Sequence, residues 1–318
     1  MNKYFRKIGL PLITAAIWGA AFLAQGNLGE ILPPFFINFA RSIIAVISLL
    51  IIDVIVTFYK KRKNKPIQKV DVKKLALGGV CCGVSLFGAM NVQQIGINGS
   101  TTGEAAFITT LYMVLVPVVG VFLKKKVGLN VWVSVVIALI GLALICQIQT
   151  LHVNVSYLYL IACAVFFTVQ ILFVDYFAQY VDGIKLCAAQ FLVAGVLSGI
   201  LSLCVENGKV DFSRFDQAIL PLLYVGVFSS AIGYTLQIIA QRGEDGAIVS
   251  LLLSMEAAFA LLFGVLSCLI SGKPIEETPL QFLGCFLMLS AIVISQIDPF
   301  KKRKSDKNEE ENQKITKS

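Results

Sequence analysis

The sequence predicts an all-α polytopic membrane protein with ten transmembrane helices, arranged as two inverted repeats of five helices. The prediction depends on the composition, on ten long apolar stretches and on an internal repeat. Of the 318 residues, 57% are hydrophobic and only 14% are charged, and the mean hydropathy is +0.81. Soluble domains carry about 25% charged residues. The chain therefore has too little charge to cover a water-exposed globule, and its apolar content excludes a disordered chain.

Ten apolar stretches are each long enough to cross a hydrocarbon core about 30 Å thick. They are apolar all round, whereas membrane-spanning strands alternate in polarity, so helices are predicted. The first stretch follows MNKYFRK and is too long for a signal peptide, so it is predicted as a transmembrane helix. Predicted helices 1 to 10 cover residues 8–26, 35–58, 75–96, 104–123, 129–148, 156–177, 184–205, 217–240, 247–270 and 279–297.

Lysine and arginine are unevenly divided between the alternating connections. With the N-terminus inside, one set of segments holds 23 of these residues and the other set holds 3. The positive-inside rule then predicts that both termini are cytoplasmic, and the cell membrane is the expected location. The charge lies in loops and in the tail 298–318. We expect this tail to be disordered or at most weakly helical. A nucleic-acid partner would need a basic face on a folded domain, so none is expected.

The two halves of the sequence match when they are shifted along the chain, giving predicted repeats 8–148 and 156–297. Each repeat has an odd number of spans, so the two must be inverted relative to each other, as in many secondary transporters. Paired small residues in predicted helices 3 and 8 permit close helix packing. The matches are Trp18 with Phe166, Arg41 with Gln190, Gly79 and Gly83 with Gly226 and Ser230, Gln94 with Gln241, and Pro117 with Ala257.

Segments of both halves resemble the EamA-type branch of the drug/metabolite transporter superfamily. These are AAIWGAAF, LPPFFINFARSIIA, IGINGSTTGEAAFITTLYMVLVPVVG and IVSLLLSMEAAFALLFGVLSCLISGKP. The resemblance implies a central cavity between helices 1, 3, 4, 6, 8 and 9, and a small metabolite such as an amino acid as substrate. Ala257 stands where the family usually has proline, so no proline kink is expected there. Ser271-Gly-Lys-Pro replaces the usual acidic end of helix 9.

Polar residues within the predicted helices are the candidate site residues, because placing a polar side chain inside a bilayer costs free energy. Glu256 is a candidate for proton coupling or for binding a substrate amine, and the alternative is a structural carboxyl that packs helices. Arg41 is interpreted as an anchor that pairs with Glu30 or caps carbonyls, and the alternative is a substrate-binding role. The candidates for the cavity wall, which could instead be bridges between helices, are Trp18, Asn91, Gln94, Tyr112, Gln170, Tyr234 and Gln237.

These features favour a secondary transporter that moves a small metabolite by alternating access, with export suggested by the family. The chain has neither an HExxH motif nor a G-x-x-x-x-G-K-[ST] loop, and its one histidine, His152, is predicted in a short external loop. The cysteines lack metal-binding spacing. We therefore expect no enzyme activity, metal or cofactor.

The alternatives to a secondary transporter are a polytopic membrane enzyme or a structural membrane protein. A small-molecule substrate, the bilayer and a coupling proton are the expected partners, in a monomer or homodimer.

The predicted topology can be tested by labelling in intact cells. A tag after Ser318 and a cysteine label in the 59–74 loop should react only once the cytoplasm is accessible. Labels at His152 or Lys209 should react from outside. If the loops that hold Lys60 and Lys209 reacted from the same side, the ten-helix inverted repeat would be wrong.

Overall fold

The structure is a computed structural model, which describes residues 4–64, 70–100, 102–125, 127–145, 155–272 and 278–296. It confirms the all-α fold class, and within the described ranges it contains all ten predicted helices and no strand. Nine of the helices reach 18 residues or more, and α5 has 17. His152, the tail 298–318 and residues 273–274 of the helix 9 ending lie outside the described residues. The helices are α1 Phe5–Gly29, α2 Pro34–Arg62, α3 Val72–Asn98, α4 Thr102–Phe122, α5 Leu129–Ile145, α6 Val155–Phe177, α7 Gly183–Val205, α8 Phe212–Gln241, α9 Gly246–Ile270 and α10 Pro279–Gln296.

The packing of the helices has the symmetry that an inverted repeat requires. The first half is α1 to α5 and the second half is α6 to α10. Helix α3 packs against α6 and α7, and its counterpart α8 packs against α1 and α2. Helix α1 contacts α9, and α6 contacts α4. The pairs α2–α7, α4–α9 and α5–α10 join equivalent helices. Exchanging the halves therefore maps these contacts onto themselves.

Two glutamines that match in sequence make equivalent contacts. Gln94 on α3 donates its side-chain amide to the carbonyl oxygen of Gln25 on α1, at 3.0 Å. Gln241 on α8 donates its amide to the carbonyl oxygen of Ile171 on α6, at 3.1 Å. Each amide thus bridges the third helix of its half to the first. Such bridges within a membrane typically contribute about 1 kcal/mol or less.

The matched small residues allow close helix contacts in both halves. A Cβ atom added at Gly83 on α3 would lie 2.8 Å from the carbonyl oxygen of Gln190 on α7. A Cβ atom added at Gly226 on α8 would lie 3.3 Å from the carbonyl oxygen of Arg41 on α2. Gln190 and Arg41 are matched positions, whereas Gly83 is matched with Ser230 and Gly226 with Gly79. Small residues therefore bring α3 to α7 and α8 to α2, although the two contacts lie about one helical turn apart in the two halves.

Helices α4 and α9 are both interrupted near their middle, where a side-chain hydroxyl hydrogen-bonds a carbonyl of the preceding turn. In α4 the Thr110 hydroxyl donates to the carbonyl oxygen of Phe107, and the Leu111 amide bonds Ile108 three residues back. In α9 the Ser254 hydroxyl donates to the carbonyl of Leu251, and the Met255 amide bonds Leu252. A hydroxyl that takes the carbonyl of its preceding turn bends a helix. The α9 break thus needs no proline.

This shared break corrects the sequence match of the two helices. Thr110 and Ser254 occupy equivalent positions, so Tyr112 corresponds to Glu256, because each lies two residues further along. With the breaks paired in this way, Pro117 corresponds to Leu261, about one helical turn from the predicted match with Ala257.

Ion pairs join the halves at one end of the bundle, where α2 and α8 end and α7 and α9 begin. We call this end the basic face. Among the described residues, every ion pair lies here and links a residue of the first half to one of the second. At the opposite face, the Glu206 carboxylate accepts the amides of Phe35 and Phe36, at 2.9 and 2.8 Å. The ion pairs are Arg6–Glu244, Lys7–Glu244, Lys60–Asp182, Lys125–Asp175 and Lys185–Asp53.

The glycine contacts predict a specific loss of stability. Gly83→Ala should lower the free energy of unfolding by about 1–3 kcal/mol, because the added methyl group meets backbone on α7. Gly26→Ala on α1 is the matched control, since no atom lies within 4 Å of its added Cβ. Unfolding of the detergent-solubilised variants measures the difference. Equal stability of the two variants would show that the α3–α7 contact is loose.

Candidate functional site

A narrow cavity lies at mid-depth between helices of both halves. It leaves about 30 Å³ for the centres of water-sized molecules, which is room for only a few waters. Polar and aromatic side chains from seven helices line it. The wall consists of Trp18, Ala21, Phe22 and Gln25 on α1, Arg41 on α2, Gln93 on α3, Tyr112 on α4, Phe167 and Ile171 on α6, Ser229, Tyr234 and Gln237 on α8, and Glu256 on α9.

The two interrupted helices meet through one hydrogen bond in this cavity. The Tyr112 hydroxyl donates to Oε1 of Glu256 at 3.0 Å, and both side chains are buried. The two residues directly follow the equivalent breaks in α4 and α9. Equivalent positions of two symmetric halves can touch only near the axis that relates them. The carboxyl group of Glu256 therefore lies close to the pseudo-two-fold axis, at the centre of the bundle.

Arg41 brings a buried cation to the same cavity. Its side chain is 2% exposed, and its guanidinium donates to Gln25 Oε1 at 2.8 Å, Ser230 Oγ at 3.0 Å and Ser229 Oγ at 3.1 Å. The expected pairing with Glu30 is not found; these three neutral groups take its place. Since none of the described ion pairs includes Arg41, its positive charge is hydrogen-bonded without a facing carboxylate. Burying an unpaired charge is costly.

Aromatic rings and a distorted helix form one side of the cavity. The rings of Trp18 and Tyr234 have centroids 4.7 Å apart, and the Trp18 indole donates to the carbonyl oxygen of Ser229 at 3.2 Å. Helix α8 is π-helical over Tyr224–Gly233. Such wide turns are common at functional sites in helices. Here the widened segment supplies both a carbonyl for Trp18 and a hydroxyl for Arg41.

Gln237 lines the cavity at the end of a chain of amides. Its side-chain nitrogen donates to Gln170 Oε1 at 3.3 Å, and Gln170 donates to Gln190 Oε1 at 3.2 Å. The Oε1 atom of Gln237 is buried and accepts no hydrogen bond in the described part of the chain. This atom is therefore a free hydrogen-bond acceptor beside the cavity. Gln170 lies behind Gln237, away from the cavity, and bridges α6, α7 and α8.

The structure separates the seven predicted wall residues into two groups. Trp18, Tyr112, Tyr234 and Gln237 line the cavity, as does Glu256. Asn91, Gln94 and Gln170 are not among its lining residues. Asn91 instead accepts a bond from Asn38 on α2 at 3.1 Å and donates to Ser198 on α7 at 2.9 Å. Such contacts are the helix-bridging role left open as the alternative.

Four polar wall residues did not figure among the predicted site residues: Gln25, Arg41, Gln93 and Ser229. Arg41 was the strongest available signal, because a charge within a span marks a functional site by default. Helix 2 is not among the helices that the family resemblance places around the cavity, and the close packing of α2 on α8 brings Arg41 inward. Gln93 and Gln94 are adjacent, and only the observed helix rotation shows which faces the cavity.

Within the described residues no cluster of three His, Cys, Asp or Glu side chains could hold a metal.

Two glutamine variants distinguish a wall residue from a bridge. Gln237→Leu should weaken substrate affinity by about 5- to 100-fold because a free acceptor beside the cavity is lost, and the lost bond to Gln170 should lower stability by about 1 kcal/mol or less. Gln94→Leu should lower stability by about 1 kcal/mol and leave affinity unchanged, because the bonds to Gln25 and Asn98 that it loses lie outside the cavity wall. Flux into proteoliposomes and thermal unfolding measure the two effects. Normal affinity in Gln237→Leu would remove this residue from the site.

Comparisons with known proteins agree with this architecture. The family model described as "EamA-like transporter family" matches residues 6–147 and again 154–297. A protein of Archaeoglobus fulgidus named "Uncharacterized transporter" is 26% identical over 297 residues, covering 92% of this chain and 86% of the relative. A crystal structure of another protein matches with a TM-score of 0.69 at 16% identity, over 91% of this chain and 96% of that one, which supports the fold alone. The chain thus belongs to the EamA-like transporter family and is a multi-pass membrane transporter.

Proposed function

We propose that the protein is a secondary transporter of a small zwitterionic metabolite, such as an amino acid, and works by alternating access. The observation that carries this proposal is the presence of a buried cation, Arg41, and a buried carboxyl group, Glu256, in one cavity between the two halves. Neither forms an ion pair within the described residues. A ligand that carries both charges would neutralise both groups at once.

The chemistry of the wall assigns an orientation to this substrate. A carboxylate would bind the Arg41 guanidinium, which is a strong, directional donor for such groups. An ammonium group would bind Glu256 and the free Oε1 of Gln237, both of which accept hydrogen bonds. The rings of Trp18 and Tyr234 would cover the apolar part of the molecule. Most small-molecule sites have this composition, with an apolar wall and a few placed polar groups.

The narrow cavity and the ion pairs support alternating access. About 30 Å³ cannot hold an amino acid, so the helices must separate for substrate to enter. At the basic face, five ion pairs between the halves hold them together. The side chains of these pairs are between 10% and 42% exposed. Pairs at a protein surface contribute only about 0–1 kcal/mol each, so we propose that the face opens in a transport cycle. We propose that the basic face is cytoplasmic, on the positive-inside rule.

Glu256 is also the proposed site of coupling. A carboxyl group at the pseudo-two-fold axis can contact either side of the membrane as the halves rock, and so can release a proton to one side and take one up from the other. Export is the proposed direction, by analogy with metabolite exporters of the family.

Transport by purified protein in liposomes tests this proposal. Wild-type protein should exchange a labelled neutral amino acid. Competition by the matching amine or carboxylic acid, each of which lacks one charge, should be at least about 10-fold weaker, because a charge-assisted hydrogen bond is lost. Glu256→Gln keeps the shape and still accepts from Tyr112 but removes the charge. We expect it to abolish flux driven by a pH gradient.

The same variant separates the two roles of Glu256. Exchange at equal pH should survive if Glu256 only couples protons, and should fail if the carboxylate binds the ammonium. Tyr157→Phe, near the opposite face, is the control: it removes the hydroxyl that donates to Glu104, outside the cavity. Unchanged gradient-driven flux in Glu256→Gln would contradict both roles, and equal competition by the truncated analogues would contradict a zwitterionic substrate.

A further inference from the structure

A second cavity lies at the basic face, between the end of α2, the start of α7 and the end of α8. It leaves about 250 Å³ for the centres of water-sized molecules, compared with about 30 Å³ in the central cavity. The two cavities share no lining residue. Aliphatic and small side chains form most of the wall of the second cavity, and three charged groups complete it. The lining residues are Val56, Lys60, Ala178, Asp182, Gly183, Ile184, Ile238, Ile239 and Arg242.

The charged groups leave an excess of positive charge in this cavity. Lys60 Nζ lies 4.0 Å from Asp182 Oδ2. The other oxygen of Asp182 caps α7 by accepting the backbone amide of Ile184 at 3.1 Å. Arg242 is exposed and donates to no acceptor in the described part of the chain. Two cations and one carboxylate therefore give a net charge of about +1, with the guanidinium of Arg242 free to bind an anion.

The position of the cavity relates it to the bilayer. The neighbouring surface of α2 is strongly apolar and outward-facing, since Val54, Ile55 and Phe58 are each at least 60% exposed. Such a surface on a membrane helix contacts acyl chains. Lys60 and Arg242 lie at the ends of their helices, where lipid headgroups are found. On the proposed topology this is the cytoplasmic leaflet, which carries the anionic lipids.

We propose that this cavity binds the headgroup of an anionic glycerophospholipid. The phosphate group would lie between Lys60 and Arg242, and its single negative charge would balance the net positive charge of the site. The adjoining acyl chain would pack against Val56, Ile184 and Ile239 and continue along α2. A soluble anion would use the two cations and leave this aliphatic wall unfilled, which is why a lipid fits better. Basic cavities between helices at this level commonly bind such lipids.

Lipid retention and thermal unfolding of the full-length protein test the site. Phosphatidylglycerol should raise the unfolding temperature more than phosphatidylcholine with the same acyl chains, and native mass spectrometry should show its preferential retention. In Lys60→Gln/Arg242→Gln, retention should fall by about fivefold or more per cation removed. Lys61→Gln is the matched control, because Lys61 is adjacent and exposed but does not line the cavity.

Several results would overturn the proposal. These are equal stabilisation by the two lipids, a phosphatidylglycerol effect that persists in the double variant, or the same effect from inorganic phosphate, which would indicate a soluble anion site. If the double variant fails to fold, Arg242→Gln alone decides, since Arg242 has no described partner whose loss could unfold the protein. Substrate exchange is measured in parallel. A lipid effect without exchange would support this site and contradict the transport proposal. Exchange without a lipid effect would support the transport proposal and contradict this site.

Discussion

A bilayer offers the peptide backbone no hydrogen-bond partners, so a helix can be interrupted within it only where the protein itself supplies them. In this chain the interruptions of α4 and α9 and the widened turns of α8 all border the central cavity. The Thr110 and Ser254 hydroxyls satisfy carbonyls at the two breaks. The hydrogen bond between Tyr112 and Glu256 then joins the breaks to each other. Among the described residues, the irregular backbone in the middle of α4, α8 and α9 thus lies around the cavity.

The two halves share their scaffold but differ in their chemistry. The glutamine bridges at Gln94 and Gln241 are repeated in each half, and small residues bring α3 to α7 and α8 to α2. The charged groups are not repeated. Arg41 is matched by the neutral Gln190, and Glu256 occupies the position of Tyr112. A symmetric framework suits two alternative arrangements of similar energy, while the unequal charges give the cavity a positive and a negative side.

The helices could be predicted from sequence because span length and polarity are local properties. Most of the aromatic and acidic wall could be predicted as well, since Trp18, Tyr112 and Glu256 lie at mid-depth of helices that surround the cavity. The choice between Gln93 and Gln94 could not, because it depends on helix rotation. The position of Arg41 on the cavity wall could not be predicted either, because its helix is mostly lipid-facing. The break in α9 was missed because it depends on a hydroxyl rotamer that composition does not reveal.

The small volume of the central cavity has a consequence for affinity. A ligand that fits only an opened arrangement binds with an apparent dissociation constant equal to its intrinsic constant divided by the fraction of molecules already open. In the proposed alternating-access cycle, the ion pairs at the basic face would help to set that fraction, although none of their residues lines the central cavity. Two relatives with identical wall residues could therefore differ widely in the concentration range over which they work, through surface charge alone.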